Sequence, residues 1–375
     1  MDKFFKRTLV CAAVASAAMA GSANAAIELH GKAVQLYGQA AGSYQIWTPE
    51  AEGKDTTASV EIESRLGLRG TVEFEDFAPN FIYQIETGNA DHAAASWSSE
   101  AGILGGRDTW LGLDFEGMGS IKFGRQLVAA YNYVDWPHTN PGLGNVFDWY
   151  NPTGADIEAR ADHVLRWDSA NFNGFNYQAS LSAMNSSIDG VAASIAASYT
   201  QEMFTIHAGY YASSSYKTSS TVTTKDAYEF DTETGGNKFV PGKTTTTTEH
   251  HGDGSFAIVG GQLYLDAITL SAAYKVVDND KPGETNSQDS ISASAQYVTG
   301  NWLFKTGYSK AFEADKDVEV VDGVFNKAEA QAITGRVMYM LPSTVIYFDV
   351  RNYDLNGDDE SGDGTRTMLG MEYYF

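Results

Sequence analysis

Apolar and polar residues alternate at the end of the chain. The apolar positions, counted back by twos from the C-terminus, are Phe375, Tyr373, Met371 and Leu369. The positions between them include Glu372, Gly370 and Arg366. An alternation of period two predicts a β-strand with one apolar and one polar face. Because this strand runs to the final residue, we expect it to close a sheet on itself and leave no unpaired edge, which lipid does not tolerate.

Similar alternating segments, about ten residues long and followed by a turn, recur along the chain. In residues 60–74, for example, Val60 and Ile62 alternate with Glu61 and Glu63. Strands of outer-membrane barrels have this pattern, because one face contacts lipid and the other contacts water. A soluble β-sandwich would show the same local alternation, so the connections between strands must separate the two folds.

Short and long connections alternate in order. The short turns lie near residues 77–80, 117–119, 171–174, 201–202, 265–266, 299–301 and 341–343. The long polar loops lie near residues 48–57, 89–106, 126–159, 182–191, 212–254, 276–289, 310–329 and 354–364. Seven short turns and eight long loops predict an all-β fold, a transmembrane barrel of sixteen antiparallel strands with short periplasmic turns and long external loops. A barrel of that size encloses an aqueous channel.

Aromatic residues cluster at the predicted strand ends. They are Tyr44, Trp47, Phe74, Phe81, Trp167, Phe175, Tyr199, Phe204, Trp302, Tyr339 and Tyr353. In a bilayer these rings would form two interfacial girdles, where an amphipathic ring has one wet end. The alternative, an ordinary sandwich core, is disfavoured by the order of the connections.

The N-terminus has the features of an export signal. Lys3, Lys6 and Arg7 precede an apolar run over residues 9–20, and residues 23–25 supply a small-residue cleavage site. The run is too short to cross a bilayer, which takes about 20 apolar residues. We therefore predict a signal peptide over residues 1–25 and a mature barrel domain over residues 26–375.

Removal of the signal peptide leaves a strongly acidic chain without cysteine. The mature chain has 22 basic and 47 acidic residues, a formal charge of −25, and the only cysteine, Cys11, lies in the signal peptide. Such a charge makes nucleic acid an improbable partner, because phosphate contacts need an excess of Lys and Arg. Stability must come from hydrogen bonding and burial, since no disulfide is possible.

The sequence offers little support for catalysis or metal binding. A hydrolase on a barrel would need a Ser/His/Asp set near one rim, whereas the histidines are scattered over strands and loops without a motif. His250 and His251 have no third ligand nearby, and the acidic stretch 354–360 has Thr365 where a calcium loop needs Glu. Both are predicted to be solvated loops, and no metal or cofactor is expected.

Several short motifs, taken in order, resemble the general porin family of Gram-negative outer membranes. They lie at residues 34–38, 64–70, 107–113, 119–126, 166–167, 171–175 and 373–375. The resemblance covers essentially the whole mature chain. It implies a homotrimer in the outer membrane, in contact with lipid and lipopolysaccharide, whose third external loop (about 126–159) folds into each lumen.

The resemblance also implies a basic wall facing an acidic loop in the constriction. The wall positions fall on Arg65, Arg107 and Arg160. Alternation independently supports Arg65 and also Arg160, which shares the phase of Arg166, but leaves the face of Arg107 undecided. A wall position that is often Lys in the family is Gln39 here, and the loop tip at 141–145 lacks its usual Glu. The acidic side therefore has four candidates, Asp135, Asp148, Asp156 and Glu158, and the sequence does not decide which of them face the lumen.

Two further roles follow from position. Arg125 shares the parity of Ile121 and Phe123, hence the outer face. A charge facing lipid at mid-depth is unfavourable by about 2 to 4 kcal/mol, so we expect Arg125 to meet an acid of a neighbouring subunit. Tyr373 and Phe375, at the end of the last strand, are expected to form the signal that the barrel assembly machinery binds.

The predicted function is passive diffusion of small hydrophilic solutes and ions, with a modest cation preference, because acids concentrate counter-ions in a narrow pore. A sugar-selective pore is the alternative. It would need a ladder of aromatic residues down the lumen, for which Tyr347, on one face with Asp349 and Arg351, is the nearest candidate. A barrel enzyme is the remaining, less favoured class.

Overall fold

A computed structural model describes residues 26–88, 104–139, 146–183, 190–225, 227–231, 236–281, 283–321, 324–357 and 360–375. The predicted signal peptide lies outside these residues. No helix within them is long and apolar enough to cross a membrane. Two short helices occur, α1 (Tyr131–Asp135) and α2 (Val146–Trp149).

The strands account for most of the described residues. In chain order they are β1 (Ile27–His30), β2 (Val34–Pro49), β3 (Thr57–Ile62), β4 (Arg65–Val72), β5 (Asn80–Thr87), β6 (Leu104–Phe115), β7 (Gly119–Leu127), β8 (Arg160–Ser169), β9 (Phe175–Ser182), β10 (Ala192–Thr200), β11 (Phe204–Ser213), β12 (Tyr216–Thr223), β13 (Ala227–Asp231), β14 (Gly236–Val240), β15 (Thr244–His251), β16 (Gly254–Leu265), β17 (Ile268–Asn279), β18 (Asn286–Thr299), β19 (Trp302–Ala311), β20 (Val318–Val321), β21 (Val324–Asn326), β22 (Ala330–Leu341), β23 (Thr344–Asp354) and β24 (Gly364–Tyr374).

The main sheet closes on itself. Sequential strands pair antiparallel around the sheet, and β24 returns to pair with β2 from Gln39↔Tyr374 to Pro49↔Gly364. Beyond the last paired residue, Phe375 and Gly38 exchange two backbone hydrogen bonds of 2.8 and 3.1 Å. The short β1 pairs with β2 beyond the end of β24, and β3 and β4 both pair with β2 as halves of one interrupted strand, so the closed barrel has sixteen strands. The predicted fold class is confirmed.

The connections between barrel strands lie at the predicted places, but their lengths do not alternate strictly, because the turn over 73–79 is as long as the loop over 50–56 and longer than the loop over 280–285. Strand ends differ from prediction where alternation continues into a polar segment. The loop predicted over 276–289, for example, is reduced to residues 280–285 because β17 and β18 extend into it. The loop over 212–254 contains two antiparallel ladders, β12 with β15 and β13 with β14. The many threonines of β12 and β15 explain the first ladder, since β-branched residues favour extended backbone.

Alternate residues of each barrel strand face lipid or lumen. Leu369, Met371 and Tyr373 are 58, 62 and 50% exposed on the outer face of β24. The girdle prediction is wrong for Trp47 and Tyr353. Trp47 shares the inner parity of β2, and the buried Tyr353 packs with it 6.0 Å from ring to ring. A position near a strand end does not decide the face, whereas parity does.

The described parts of the third external loop, residues 128–139 and 146–159, fold into the lumen as predicted. Val134, Val146 and Phe147 are almost fully buried, and they pack against inward-facing residues of the wall such as Ile258 and Ala311. The loop therefore occupies the part of the lumen that adjoins β16 and β19.

Candidate pore constriction

Backbone hydrogen bonds fix the point where the third loop leaves the wall. The amide of Ala129 donates to the Ser180 hydroxyl at 3.0 Å, and the amide of Ala130 donates to the Ser194 hydroxyl at 2.9 Å. Both serines face inward on adjacent strands, β9 and β10. Small polar side chains on the wall thus replace the ladder partners that the loop backbone lacks inside the barrel.

A buried pair of histidines holds the middle of the loop. Nε2 of His138 lies 2.8 Å from Nε2 of His207 on β11, and the ring of Tyr133 stacks on His207 with centroids 4.4 Å apart. The Ser292 hydroxyl donates to the His138 carbonyl at 2.7 Å. A side chain at Gly260 would lie 2.6 Å from Nε2 of His138, so glycine there leaves room for the ring.

Lys275 holds the second helix of the loop. Its ammonium, buried on β17, donates to the carbonyls of Phe147 and Asp148 at the end of α2. Further along, the Asn279 amide donates to the Thr153 carbonyl at 2.7 Å. A cation at the C-terminal end of a helix is favoured by the orphan carbonyls and the helix dipole.

Two of the three predicted wall cations converge on one acid, Glu86 of β5. Nε of Arg107 lies 2.6 Å from Oε1 of Glu86, and Arg65 lies 4.0 Å from the same oxygen. The hydroxyl of Tyr37 donates to Oε2 at 2.8 Å. Glu86 shares the inner parity of Gln84, which is the signal that would have identified it in the sequence.

An irregular segment of β6 explains how Arg107 reaches the lumen. Counting by twos from Leu111, which faces lipid, Arg107 would also fall on the lipid face of β6. The pairing of β5 with β6 shifts between Ile85 and Thr87, so that residues 105–108 oppose Glu86 alone. This bulge breaks the alternation and turns Arg107 inward.

Arg160 also reaches the wall cluster, by a different route from the one predicted. Its Nε lies 2.6 Å from Oδ1 of Asp108, and it lies close enough to Arg107 to repel that charge. The argument from the shared phase of Arg160 and Arg166 is wrong, because the register of β8 shifts between the two, at residues 162–163. The structure nevertheless brings all three predicted arginines together.

The four candidate acids divide into two pairs. Asp135 and Asp148 lie on the helical part of the loop, within electrostatic range of the Tyr131 hydroxyl, as does Arg160. Oδ1 of Asp148 accepts a hydrogen bond from that hydroxyl, and burial raises the pKa of Asp148. The loop tip at 141–145 lies outside the described residues.

The second pair, Asp156 and Glu158, fastens the end of the loop to the barrel. Oδ2 of Asp156 accepts from the Gly252 amide at 2.6 Å, and Glu158 accepts from the hydroxyl of Ser182. Burial raises the pKa of Glu158, with the Asp156 charge adding to the effect. Asp156 and Glu158 thus attach the end of the loop to the barrel, whereas Asp135 and Asp148 lie near Tyr131.

A second ionic cluster on the wall was missing from the prediction. Arg336 of β22 forms two hydrogen bonds of 2.6 Å with Asp349 of β23, and Arg351 donates to the same carboxylate at 2.9 Å. Asp349 is fully buried. The inner parity of Asp349 and Arg351 was visible in the sequence, but the partner on β22 depends on strand register.

Outside the lumen, Arg125 has a partner in its own chain. It lies 3.0 Å from Asp162, which is 61% exposed, and its Nε donates to the Gly106 carbonyl at 3.1 Å. The pair accounts for a charge on the outer face without a neighbouring subunit. The place of Arg125 at a subunit interface stays a prediction.

A closed transmembrane barrel with a charged lumen and a loop folded across it defines a class of membrane channels. Within that class, this chain belongs to the Gram-negative porin family, because the sequence profile described as Gram-negative porin matches residues 10–358. The protein is therefore an outer-membrane channel.

Individual relatives agree with this assignment. The chain is 32% identical to a chitoporin of Vibrio furnissii over 394 residues, 100% of both chains. An anion-selective porin from Comamonas acidovorans has a TM-score of 0.64 at 17% identity, covering 92% of this chain and 99% of that chain. The trimer form of OmpT from Vibrio cholerae has a TM-score of 0.60 at 17% identity, covering 91% and 99%. At 17% identity, these two solved structures show only that they share the fold of this chain.

Proposed function

We propose that the channel passes small hydrophilic solutes and ions by passive diffusion, with a modest preference for cations. The distribution of charge supports the proposal. Cations of the lumen wall pair with acids, as Arg107, Arg160 and Arg336 do. The described external loops carry further acids, namely Glu50, Glu52, Asp55, Asp253, Asp280, Glu284, Glu313, Asp315, Asp317, Glu329, Glu360 and Asp363.

The mechanism is electrostatic and needs no energy source. Acids around the external mouth raise the local concentration of cations, and low-dielectric walls strengthen the effect of each fixed charge. In the constriction, Arg65, Arg107 and Arg160 face the side of the loop that carries Asp135 and Asp148. The resulting transverse field would orient a polar solute as it passes, while the wall arginines keep the cation preference modest.

The reversal potential of the reconstituted protein in a potassium chloride gradient tests this proposal. We expect the sign that corresponds to cation preference. A potential of the opposite sign would contradict the preference but leave the channel intact, and liposomes that stay impermeable to ions would contradict the channel itself.

Sugar uptake is a second candidate, favoured by the full-length similarity to a chitoporin. On this hypothesis the pore would pass oligomers of N-acetylglucosamine faster than other oligosaccharides of the same size. Inward-facing rings such as Trp47, Trp110 and Tyr353 agree with it, since flat apolar faces suit the carbon skeleton of a sugar. Liposome swelling with N-acetylglucosamine oligomers and maltose oligomers separates the two functions. Equal rates at equal size would favour the unspecific pore.

Assembly is part of the same proposal. We expect cleavage after Ala25, recognition of Tyr373 and Phe375 by the barrel assembly machinery, and a trimer in contact with lipid and lipopolysaccharide. The trimer form of a protein with the same fold supports the last point. Mass spectrometry of the mature N-terminus and the oligomer size in mild detergent measure the first and last of these directly.

A further inference from the structure

Arg366 differs from the other arginines of the lumen in its partners. It lies two residues from the external end of β24, on the inner face, with its Cα paired to Trp47 on one side and to Arg351 on the other. Within the described residues, no carboxylate or carbonyl accepts a hydrogen bond from its guanidinium. By contrast, Arg107 and Arg336 each contact a carboxylate at 2.6 Å.

Two aromatic rings flank the Arg366 guanidinium instead. Its central carbon lies 5.6 Å from the centroid of Trp47 and 5.9 Å from that of Tyr353. A ring attracts a cation through its π face but leaves the N–H groups of the guanidinium without acceptors. The five donors of this half-buried side chain therefore have no acceptor among the described residues.

The rings are held in place by the wall and by the third loop. A side chain at Gly364 would lie 2.7 Å from Cζ2 of Trp47, so the indole lies close against β24. Tyr353 is buried in a cluster with Tyr150 and Val146 of the loop, and Trp47 packs against that cluster. The guanidinium thus rests on a rigid aromatic support, and little rotamer entropy would be lost when it binds a ligand.

A second observation points to an anionic ligand at the same place. Arg351 lies directly opposite Arg366, and its Nε is buried without a partner within the described residues. Like charges on directly opposed residues are destabilising. Asp349, which Arg351 contacts at 2.9 Å, is shared with Arg336, so one acid serves two of the three arginines. An anion bound on the inner face of the two strands would add negative charge there, and the planar fork of an arginine matches a carboxylate in shape and charge.

We propose that Arg366, Trp47 and Tyr353 form a binding subsite for a small carboxylate-bearing solute in the external vestibule. The guanidinium binds the carboxylate, the half-buried ring of Trp47 contacts the carbon skeleton, and the buried ring of Tyr353 supports the guanidinium. The inference rests on the proposed function, since it needs an open pore that solutes enter from outside. It also implies that organic anions dwell in this channel despite its acidic mouth.

Single-channel recording with D-gluconate tests the subsite, with D-sorbitol as the uncharged control of similar size. We expect gluconate added on the external side to interrupt the current, and sorbitol to do so far less. Arg366→Gln should raise the half-blocking gluconate concentration about tenfold, the loss expected for one charge-assisted hydrogen-bonded contact. Trp47→Leu should raise it less, because the charge remains.

Lys281→Gln is the matched control, since it removes one positive charge from an external loop and leaves the subsite intact. Equal block of the wild type and Arg366→Gln, equal block by sorbitol, or an equal effect of the control would overturn the inference. A protein that conducts no ions would contradict the proposed function instead. In that case, gluconate binding to the detergent-solubilised protein, measured for wild type and Arg366→Gln, still decides the subsite.

Discussion

At the scale of single residues, acids of the wall fix the cations of the constriction. Glu86 contacts Arg107 at 2.6 Å and Arg65 at 4.0 Å, and Asp108 contacts Arg160 at 2.6 Å. Glu86 is 21 residues from Arg107 in the sequence, and Asp108 follows Arg107 but pairs with Arg160, so only the fold shows these pairs. Each ion pair holds a long arginine side chain in one direction. The acid of the pair also cancels part of the positive field that the arginine would otherwise exert.

Removal of one acid should therefore expose that field. In Glu86→Gln the amide keeps the shape but loses the charge, so one unit of positive charge is no longer balanced. One charge at about 4 Å in water corresponds to about 1 kcal/mol, and we expect the cation-to-anion permeability ratio to fall about two- to fivefold. Reversal potentials measure the ratio. Glu284→Gln, in an external loop, is the control, and an equal effect of both variants would contradict the argument.

The histidine pair predicts a pH dependence of the loop. Burial, with contributions from His207 and Lys305, lowers the pKa of His138 to about 3, from its ordinary value of 6.5. A histidine that is held neutral stabilises the attached loop above its ordinary pKa. That stability is lost progressively as the pH falls from about 6.5 toward 3, because detached imidazoles take up protons.

We expect more frequent current fluctuations at pH 4 than at pH 7, measured on single channels. The double substitution of His138→Gln and His207→Gln removes the titrating groups and should reduce the difference between the two pH values. Lys305, the charged neighbour, remains in both proteins. A pH response that is unchanged in the double variant would show that other groups cause it.

At the scale of elements, period-two alternation and turn spacing predicted the barrel strands because both are local properties. The bulges beside Arg107 and Arg160 could not be predicted, since a bulge is defined by the register of two strands. Local patterns also did not predict the contacts that fix the path of the third loop. It depends on contacts with residues far along the chain, such as Lys275 and Asn279, whose roles no local pattern indicates.

Lys275 offers a direct test of that path. In Lys275→Met the carbonyls of Phe147 and Asp148 lose a charged donor, and an unsatisfied buried group is unfavourable by about 1 to 3 kcal/mol. We expect α2 to detach more often, with larger current noise, while the barrel ladder and its thermal unfolding change little. Lys275→Arg should retain part of the attachment. Lys243→Met, in the external hairpin, is the control and should leave the current noise unchanged.

At the scale of the whole molecule, charge is unevenly distributed. The mature chain carries a formal charge of −25, with many of its acids in the external loops, whereas ion pairs recur on the lumen wall. Composition predicted the sign of the overall field, but not that acids pair with the cations of the wall. We therefore expect ion selectivity to originate mainly at the external mouth of the pore, where water and salt screen the charges of the loops.

This origin predicts a strong dependence on ionic strength. The screening length falls from about 10 Å at 0.1 M salt to about 3 Å at 1 M. We expect the cation preference to be clear at 0.1 M and nearly absent at 1 M, measured as reversal potentials at a constant concentration ratio. A preference that persists at 1 M would place its origin in the constriction.

The bulge in β6 has a consequence for how such a channel changes over time. Residues 105–108 oppose Glu86 alone, so the number of residues there decides whether Arg107 projects toward water or hydrocarbon. Deletion of one codon in this stretch would reverse the phase of the strand on one side of it. The charge of the pore lining therefore depends on the length of this segment as well as on the identity of its residues. Insertions or deletions here should be under stronger selection than those in the external loops.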